Sequence, residues 1–216
     1  MKLYIQKILL GIIAVIAVVF LPIMGNFQML YVPQLWIMAT IGIVASFFQP
    51  IYNPFRKSVS KEDRGTALQI IWSIYITQII TIAEAAYLRF PESMHWDHIT
   101  TMALAVMLAG LILRSWAVIT LGNQFTWHID RKMSKNLIRT GPFRFLRHPG
   151  YAGALLTYTF SAIFLHSWFS LLINLTVLTI AFSRRINFEE AVLREIFGIK
   201  YLEYCKKIKK MIPIIW

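Results

Sequence analysis

Six apolar segments divide this chain, and they restrict its fold more than any other feature of the sequence. They cover residues 8–24, 33–51, 66–88, 99–121, 150–165 and 168–182. A helix needs roughly 20 apolar residues to cross a bilayer, within a range of about 17–25, and the middle segments reach that length. Because 57% of the residues are hydrophobic, against roughly 45–50% in soluble domains, the sequence predicts an all-α, polytopic helical bundle in a membrane.

The last two apolar segments are short, and only His166 and Ser167 separate them. They predict a helical hairpin that either crosses the membrane twice or re-enters from one side, so the sequence is compatible with five or six crossings. The first segment is expected to be a retained span, because it lacks a small-x-small cleavage site and is long for a signal peptide. We expect all 216 residues to form one membrane domain.

Basic residues lie almost entirely in alternate loops. Of the 22 lysines and arginines, all but Arg89 and Arg114 precede the first segment, follow the sixth, or lie between segments two and three or four and five. This distribution follows the positive-inside rule and predicts cytoplasmic N- and C-termini. The net charge of +12 therefore reflects orientation in the membrane, and nucleic acid is not an expected partner.

Metal-ligating side chains are scarce and scattered in the sequence. Cys205 is the single cysteine, which excludes an intramolecular disulfide and a cysteine-rich metal site. No cluster of ligands is evident along the chain, so no metal is expected. His95, His98 and His166 are interpreted as loop or interface residues on the outer side.

Two charged residues lie within the apolar segments. Arg114 is about two turns from the cytoplasmic end of the fourth segment. It is either a functional group at membrane depth or a side chain that extends to the interface. Glu84, near the outer end of the third segment, is expected to be structural and to approach Arg89.

A basic, glycine-containing elbow leads into the fifth segment, within the sequence RTGPFRFLRHPGYAGALL of residues 139–156. Pro149 suits the first turn of a helix, so a helix is predicted to begin there. Its free backbone N–H groups and the positive end of its dipole favour a carboxylate or phosphate. Gly150 and Gly153 share a helix face that a ligand or another helix can approach closely. Alternatively, the arginines contact lipid headgroups and the glycines pack helices together.

Residues 184–210 are predicted to form a cytoplasmic amphipathic helix, because apolar residues recur there at spacings of three and four. Gly198 interrupts this pattern. Arg185 and Glu189 lie four residues apart and therefore share a helix face. Alone, such a pair is more often a surface ion pair than part of a site.

Three motifs follow one another in the second half of the chain. Residues 147–153 match the pattern Arg-His-Pro-x-Tyr-x-Gly, and upstream stand a Leu-Gly pair (121–122), a Phe-Thr pair (125–126) and the run LIRTGPF (137–143). The downstream motif consists of Arg185, Glu189, Glu190, Phe197, Gly198, Tyr201, Tyr204 and Pro213. From roughly residue 108 onwards, the chain thus resembles the isoprenylcysteine carboxyl methyltransferase family, within the wider group of membrane methyltransferases that includes phospholipid methyltransferases.

The resemblance implies a membrane methyltransferase that uses S-adenosyl-L-methionine. It divides the chain into variable N-terminal helices, residues 1–98, and a methyltransferase core with a cytoplasmic cofactor pocket, residues 99–216. It assigns the cofactor pocket to His128, Lys135, Asn136, Leu137, Ile138, Phe143, His148, Pro149, Gly150, Tyr151 and Glu189. It also implies catalytic roles for Arg185, Glu189 and Glu190, with Arg185 orienting the carboxylate of a substrate.

Two departures from the family pattern concern this pocket. The stretch Lys135-Asn136 stands where the family often has a histidine, and Phe143 stands where it has a tyrosine. Both changes alter fine contacts and leave the pocket in place.

The chemistry of the cofactor agrees with the residue types present. Glu189 or Glu190 can bind its ammonium group or ribose hydroxyls, and Phe143, Tyr151 and Trp127 offer aromatic faces to its adenine or sulfonium. Methyl transfer is an in-line displacement, which needs alignment and a shielded site more than acid–base chemistry.

The acceptor is expected to be amphiphilic and to enter from the bilayer. The resemblance favours O-methylation of a lipid-like or prenylated carboxylate, with phospholipid amines or other small apolar acceptors as alternatives. A second hypothesis is a sterol-reductase-like enzyme that uses NADPH, since Arg139, Arg144 and Arg147 can bind phosphates. A third is a non-enzymatic membrane protein, for which few polar residues are available to line a path across the bilayer.

Overall fold

The computed structural model describes residues 2–47, 63–129 and 136–211, without the side chains of residues 2–8 and 10. These ranges contain the helices α1 (Lys2–Phe20), α2 (Pro33–Phe47), α3 (Thr66–Glu84), α4 (His98–Leu121), α5 (Pro149–Phe164), α6 (Trp168–Phe197) and α7 (Ile199–Lys207). A π-helical turn at Ala85–Arg89 extends α3. No β-strand forms among these residues beyond one isolated bridge. The all-α prediction is confirmed.

Three helical stretches in the described ranges are long and apolar enough to cross a membrane: Thr66–Arg89, His98–Gln124 and Trp168–Phe197. Large apolar side chains such as Ile112 and Ile180 are exposed on these helices, as contact with lipid requires. The chain is therefore an integral membrane protein. Five or six crossings remain a prediction, since α1, α2 and α5 are shorter and the end of the predicted second segment lies outside the described residues.

Helices α4 and α5 are in backbone contact where Gly110 faces Gly153. A Cβ atom on Gly153 would lie 2.4 Å from the carbonyl oxygen of Gly110, and one on Gly110 would lie 2.7 Å from that of Gly153. Small residues allow such an approach between membrane helices. Gly153 is therefore a packing residue, whereas a Cβ on Gly150 would meet only Ala117, at 3.7 Å.

Helices α3 and α6 are joined by buried polar contacts. The Glu84 carboxylate accepts hydrogen bonds from the backbone N–H and the hydroxyl of Ser170, both at 2.7 Å, and lies 2.7 Å from the Arg89 guanidinium. Asn174 donates to the Thr81 hydroxyl at 3.1 Å. Such bonds hold membrane helices together, at about 0.6–2 kcal/mol each. The expected approach of Glu84 to Arg89 is present.

Helices α5 and α6 form the predicted hairpin, with a turn at residues 165–167. The sequence analysis treats the apolar segment ending at residue 182 and the amphipathic helix beginning at 184 as two elements, whereas α6 runs without interruption from Trp168 to Phe197. No glycine or proline lies within α6, so no residue there favours ending the helix. Gly198, with a φ of +51°, ends α6, and α7 follows it. One continuous helix therefore connects the hairpin turn with Arg185 and Glu189.

Candidate active site

One cavity, which we call the polar cavity, lies at the end of the bundle where α4 ends and α5 begins. Residues of α6 and α7 complete its wall. The following predicted cofactor residues line it: His128, Asn136, Leu137, Ile138, Phe143, His148, Gly150, Tyr151 and Glu189. Pro149 is buried in the first turn of α5. Lys135, like Pro213 of the downstream motif, lies outside the described residues.

The elbow before α5 is held by the chain after α7. The backbone N–H groups of Arg147 and His148 donate to the carbonyls of Lys209 and Lys210, at 2.8 and 2.9 Å. Within the helix, the Tyr151 amide donates to the carbonyl of His148 at 3.2 Å. The start of α5 therefore presents fewer free N–H groups to the cavity than the sequence predicted.

Glu190 connects this elbow to α6. Its carboxylate is 2.9 Å from the Arg147 guanidinium and 3.3 Å from His148 Nε2, and the residue is only 2% exposed. Arg147 also donates to the carbonyls of Cys205 and Ile208. The contacts of Arg147 are thus with protein rather than lipid headgroups. Glu190 thus links α6 to the elbow, and its catalytic role stays a prediction.

The guanidinium of Arg185, a residue that is 4% exposed, is held from several directions. Its Nη1 donates to the Asp63 carboxylate and, at 2.9 Å, to the Thr66 hydroxyl. Its Nη2 donates to the Trp127 carbonyl at 2.9 Å, and its Nε donates to the Tyr151 hydroxyl at 3.1 Å. The orientation of Arg185 is therefore fixed before any ligand binds.

Tyr151 joins Arg185 to Glu189. Its hydroxyl accepts from Arg185 Nε and donates to Glu189 Oε2 at 2.8 Å, while Nε and Oε2 themselves are 4.0 Å apart. The Glu189 side chain is 32% exposed and lines the cavity. The predicted pair is thus present in the site, with the tyrosine of the elbow motif between its members.

Asp63, which belongs to none of the sequence motifs, is the fully buried counter-charge of Arg185. Burial alone would raise the pKa of its carboxyl. The Arg185 guanidinium, the Ala67 and Ile129 amides and His128, whose Nδ1 is 3.5 Å away, outweigh burial and hold this pKa below its ordinary value. Asp63 is therefore ionised at neutral pH. The only signal in the sequence is an acidic residue just before a helix, which is common at helix starts.

A second, mainly apolar cavity lies among α1 to α5, and we call it the apolar cavity. Val15, Met38 and Ile74 are typical of its lining. Arg114 and Trp127 line both cavities. Arg114 is 8% exposed, and its Nη1 donates to the Gly150 carbonyl at 3.1 Å. It therefore lies between the two cavities and contacts the first turn of α5. A functional role for Arg114 stays a prediction.

The sequence of this chain is similar to those of known methyltransferases. The phospholipid methyltransferase family model matches residues 98–200. A probable protein-S-isoprenylcysteine O-methyltransferase of Oryza sativa subsp. indica is 31% identical over 163 residues, which cover 74% of this chain and 84% of that protein. Protein-S-isoprenylcysteine O-methyltransferase A of Arabidopsis thaliana is 30% identical over 154 residues, 69% of this chain and 74% of that protein.

One solved structure has a similar fold. The eukaryotic intramembrane Ras methyltransferase ICMT, isoprenylcysteine carboxyl methyltransferase, aligns with 97% of both chains at a TM-score of 0.53 and 16% identity. The alignment includes the N-terminal helices, for which the sequence carries no recognisable motif.

Proposed function

Because this chain belongs to the protein-S-isoprenylcysteine O-methyltransferase family and is an integral-membrane methyltransferase, we propose that it methylates a carboxylate on a prenylated or otherwise lipid-like acceptor, with S-adenosyl-L-methionine as donor. One observation carries this proposal: a polar cavity and an apolar cavity meet at Arg114 and Trp127. An amphiphile can place its hydrocarbon chain in the apolar cavity while its carboxylate reaches the polar cavity.

The polar cavity contains groups that fit the donor. Glu189 offers an accessible carboxylate to its ammonium group or ribose hydroxyls, and its partner Tyr151 offers an aromatic face. Leu137, Ile138 and Phe143 supply apolar wall for the adenine. The donor supplies an electrophilic methyl group on a sulfonium, and these residues bind and orient it.

The acceptor carboxylate needs alignment rather than activation. One of its oxygens forms the new O–CH₃ bond as the S–CH₃ bond breaks, so no proton is transferred and no base is required. We assign Arg185 to orient this carboxylate, since its guanidinium lines the cavity and is already fixed by Asp63 and Tyr151. Arg114 lies at the junction, where it can contact the same carboxylate.

Orientation and domain organisation form part of the proposal. The polar cavity is at the end of the bundle that carries the basic loops, so we place it, with both termini, on the cytoplasmic side. A cytoplasmic cofactor and an acceptor from the bilayer then reach the site by different routes. We further propose that residues 99–216 form the methyltransferase core and residues 1–98 the variable helices that border the apolar cavity.

A phospholipid amine is the second candidate acceptor, because the family model that matches residues 98–200 is that of phospholipid methyltransferases. The guanidinium of Arg185 favours the carboxylate acceptor over an amine. The reductase hypothesis has no support among these relatives.

The first test is calorimetric binding of S-adenosylhomocysteine to detergent-purified protein. We expect micromolar binding that is lost in Glu189→Ala and retained in the control Glu203→Ala, which removes an exposed carboxylate on α7. Binding of NADPH instead, with no binding of S-adenosylhomocysteine, contradicts the proposal. Labelled methyl transfer to an S-prenylated cysteine and to an aminophospholipid then identifies the acceptor, and Arg185→Gln should abolish transfer to the carboxylate.

A further inference from the structure

Two histidines and an aspartate meet at the end of the bundle opposite the polar cavity. His95 and Asp97 lie in the loop before α4, and His166 lies in the turn between α5 and α6. One ligand atom from each residue lies within 4.8 Å of the other two. His95 Nε2 is 3.6 Å from Asp97 Oδ2, and His166 Nε2 is 3.8 Å from Asp97 Oδ1.

We propose that His95, Asp97 and His166 bind a divalent transition-metal ion of the zinc type. Tetrahedral zinc with bonds of about 2.0–2.1 Å needs ligand atoms roughly 3.3–3.4 Å apart. The distances of 3.6 and 3.8 Å run to different oxygens of the Asp97 carboxylate, and one set of three ligand atoms lies within 4.8 Å. The side chains therefore have to draw together by up to about 1.4 Å to reach tetrahedral spacing. The exposed His95 ring is free to make most of this movement. Imidazole nitrogens with a carboxylate suit such ions, and three protein ligands leave a position for water.

His95 is already oriented as a ligand. Its Nδ1 is 3.3 Å from the backbone carbonyl of Glu92. Donation from Nδ1–H to this carbonyl leaves the lone pair on Nε2, the nitrogen that faces Asp97. Metal-bound histidines commonly donate their other N–H in this way, which fixes both the tautomer and the ring. The ring is largely exposed, so an ion can reach it from solvent.

Thr100 orients the other two ligands. Its backbone N–H donates to Asp97 Oδ1 at 2.7 Å, while Oδ2 faces His95. Its buried hydroxyl is 3.1 Å from His166 Nε2. A metal that occupies Nε2 replaces this hydroxyl contact and leaves the backbone contact of Thr100 to Asp97 in place.

The backbone at His166 is an independent sign of constraint. Its φ is +52°, a left-handed conformation that L-residues rarely adopt. Such conformations persist where the surrounding structure requires them, and they cluster at functional sites. Here the conformation holds a ring that is only 6% exposed beside those of His95 and Trp168, at centroid distances of 5.4 and 6.0 Å.

A metal at this position adds a further connection between two parts of the chain that Thr100 and His166 already bring into contact. It ties the loop before α4 to the turn that begins α6, and α6 carries Arg185 and Glu189 at its other end. We therefore expect the ion to stabilise the fold without taking part in methyl transfer.

The test uses the full-length, detergent-purified protein after treatment with a chelator and dialysis. Zn²⁺ at about 100 times its dissociation constant should raise the Tm by about 5–10 °C. Metal analysis should give one Zn²⁺ per chain, and Co²⁺ should give the visible absorption of a tetrahedral site. His95→Ala, which alters an exposed side chain, should abolish all three signals, as should His166→Asn, which tolerates the left-handed backbone.

His98→Ala is the matched control, because His98 is an exposed histidine nearby that is not part of the cluster. Retention of the stoichiometric site in this variant, with its loss in His95→Ala, supports the proposal. Equal loss in both variants, binding that survives His95→Ala, or no stoichiometric binding to folded protein overturns it.

Discussion

Replacing Asp63 with asparagine removes one buried charge and keeps the size of the side chain. The carboxylate accepts from Arg185, from the Thr66 hydroxyl and from the amides of Ala67 and Ile129. An asparagine at this position exchanges one accepting oxygen for a donating NH₂ group among these donors. The Arg185 guanidinium then loses its closest counter-charge while remaining buried.

The expected size of the effect follows from this burial. Removing one partner of a buried ion pair costs about 3–5 kcal/mol. For a chain of this length, each kcal/mol changes the Tm by about 2–4 °C, so Asp63→Asn should lower the Tm by about 6–20 °C. Arg185 is also expected to move towards Glu189, its remaining acidic neighbour at 4.0 Å. Since a displacement of about 1 Å costs roughly 100-fold in rate, kcat should fall by that order.

The assay combines thermal unfolding in detergent with methyl transfer to the accepted substrate. Glu203→Gln, which neutralises an exposed carboxylate, is the control for loss of charge alone. The double variant Asp63→Asn, Arg185→Gln should recover part of the lost Tm, because no buried charge is left uncompensated, but no activity. A Tm and a kcat for Asp63→Asn equal to those of Glu203→Gln would show that Asp63 neither stabilises nor orients Arg185.

Three further predictions concern Gly153 and Tyr151 of α5 and the acid stability that Asp63 confers. Gly153→Ala should destabilise the protein by about 1–3 kcal/mol in chemical or thermal unfolding, because its Cβ would lie 2.4 Å from the Gly110 carbonyl oxygen. Gly150→Ala, whose Cβ would meet only Ala117, should destabilise the protein less. A larger loss of stability in Gly150→Ala than in Gly153→Ala would contradict this packing. Tyr151→Phe should weaken donor binding about tenfold in calorimetry, because it removes the hydroxyl between Arg185 and Glu189; unchanged affinity would show that this link is not used. The pKa of Asp63 lies below its unfolded value of about 3.9. Its contribution to stability is therefore complete above that pH and is lost as the pH falls through the folded-state pKa. When unfolding is measured between about pH 5 and 2, the stability of Asp63→Asn should fall less steeply with acid than that of the parent protein.

The sequence predicted the parts of the site that depend on local order along the chain. Pro149 at the start of a helix, the turn at residues 165–167 and the shared face of Arg185 and Glu189 all follow from spacing within a few residues. The full extent of α6 is not apparent from the sequence, because the residues change from apolar to charged near residue 183. A change of surroundings from lipid to water does not end a helix, whereas Gly198 does.

Contacts between distant residues were not predictable from one sequence. Asp63 and Arg185 pair across 122 positions, and nothing in the residues around Asp63 indicates a partner so far along the chain. His166 is likewise distant in sequence from His95 and Asp97, so their meeting depends on how α4 packs against α5. Glu190 lies beside Glu189 in the motif, but successive residues of a helix point in different directions, and Glu190 turns to the elbow.

The unbroken length of α6 determines how deep in the bilayer the Arg185 guanidinium lies. At about 1.5 Å per residue, Arg185 lies roughly 26 Å along the axis from Trp168, close to the thickness of about 30 Å of a hydrocarbon core. With the half-exposed Trp168 anchored at one bilayer surface, the guanidinium arrives near the opposite surface. The rest of α6, about 18 Å long, then extends through the headgroup layer and beyond it. The length of the helix thus places the reacting groups at the membrane surface, where a lipid tail and a soluble cofactor can both reach them.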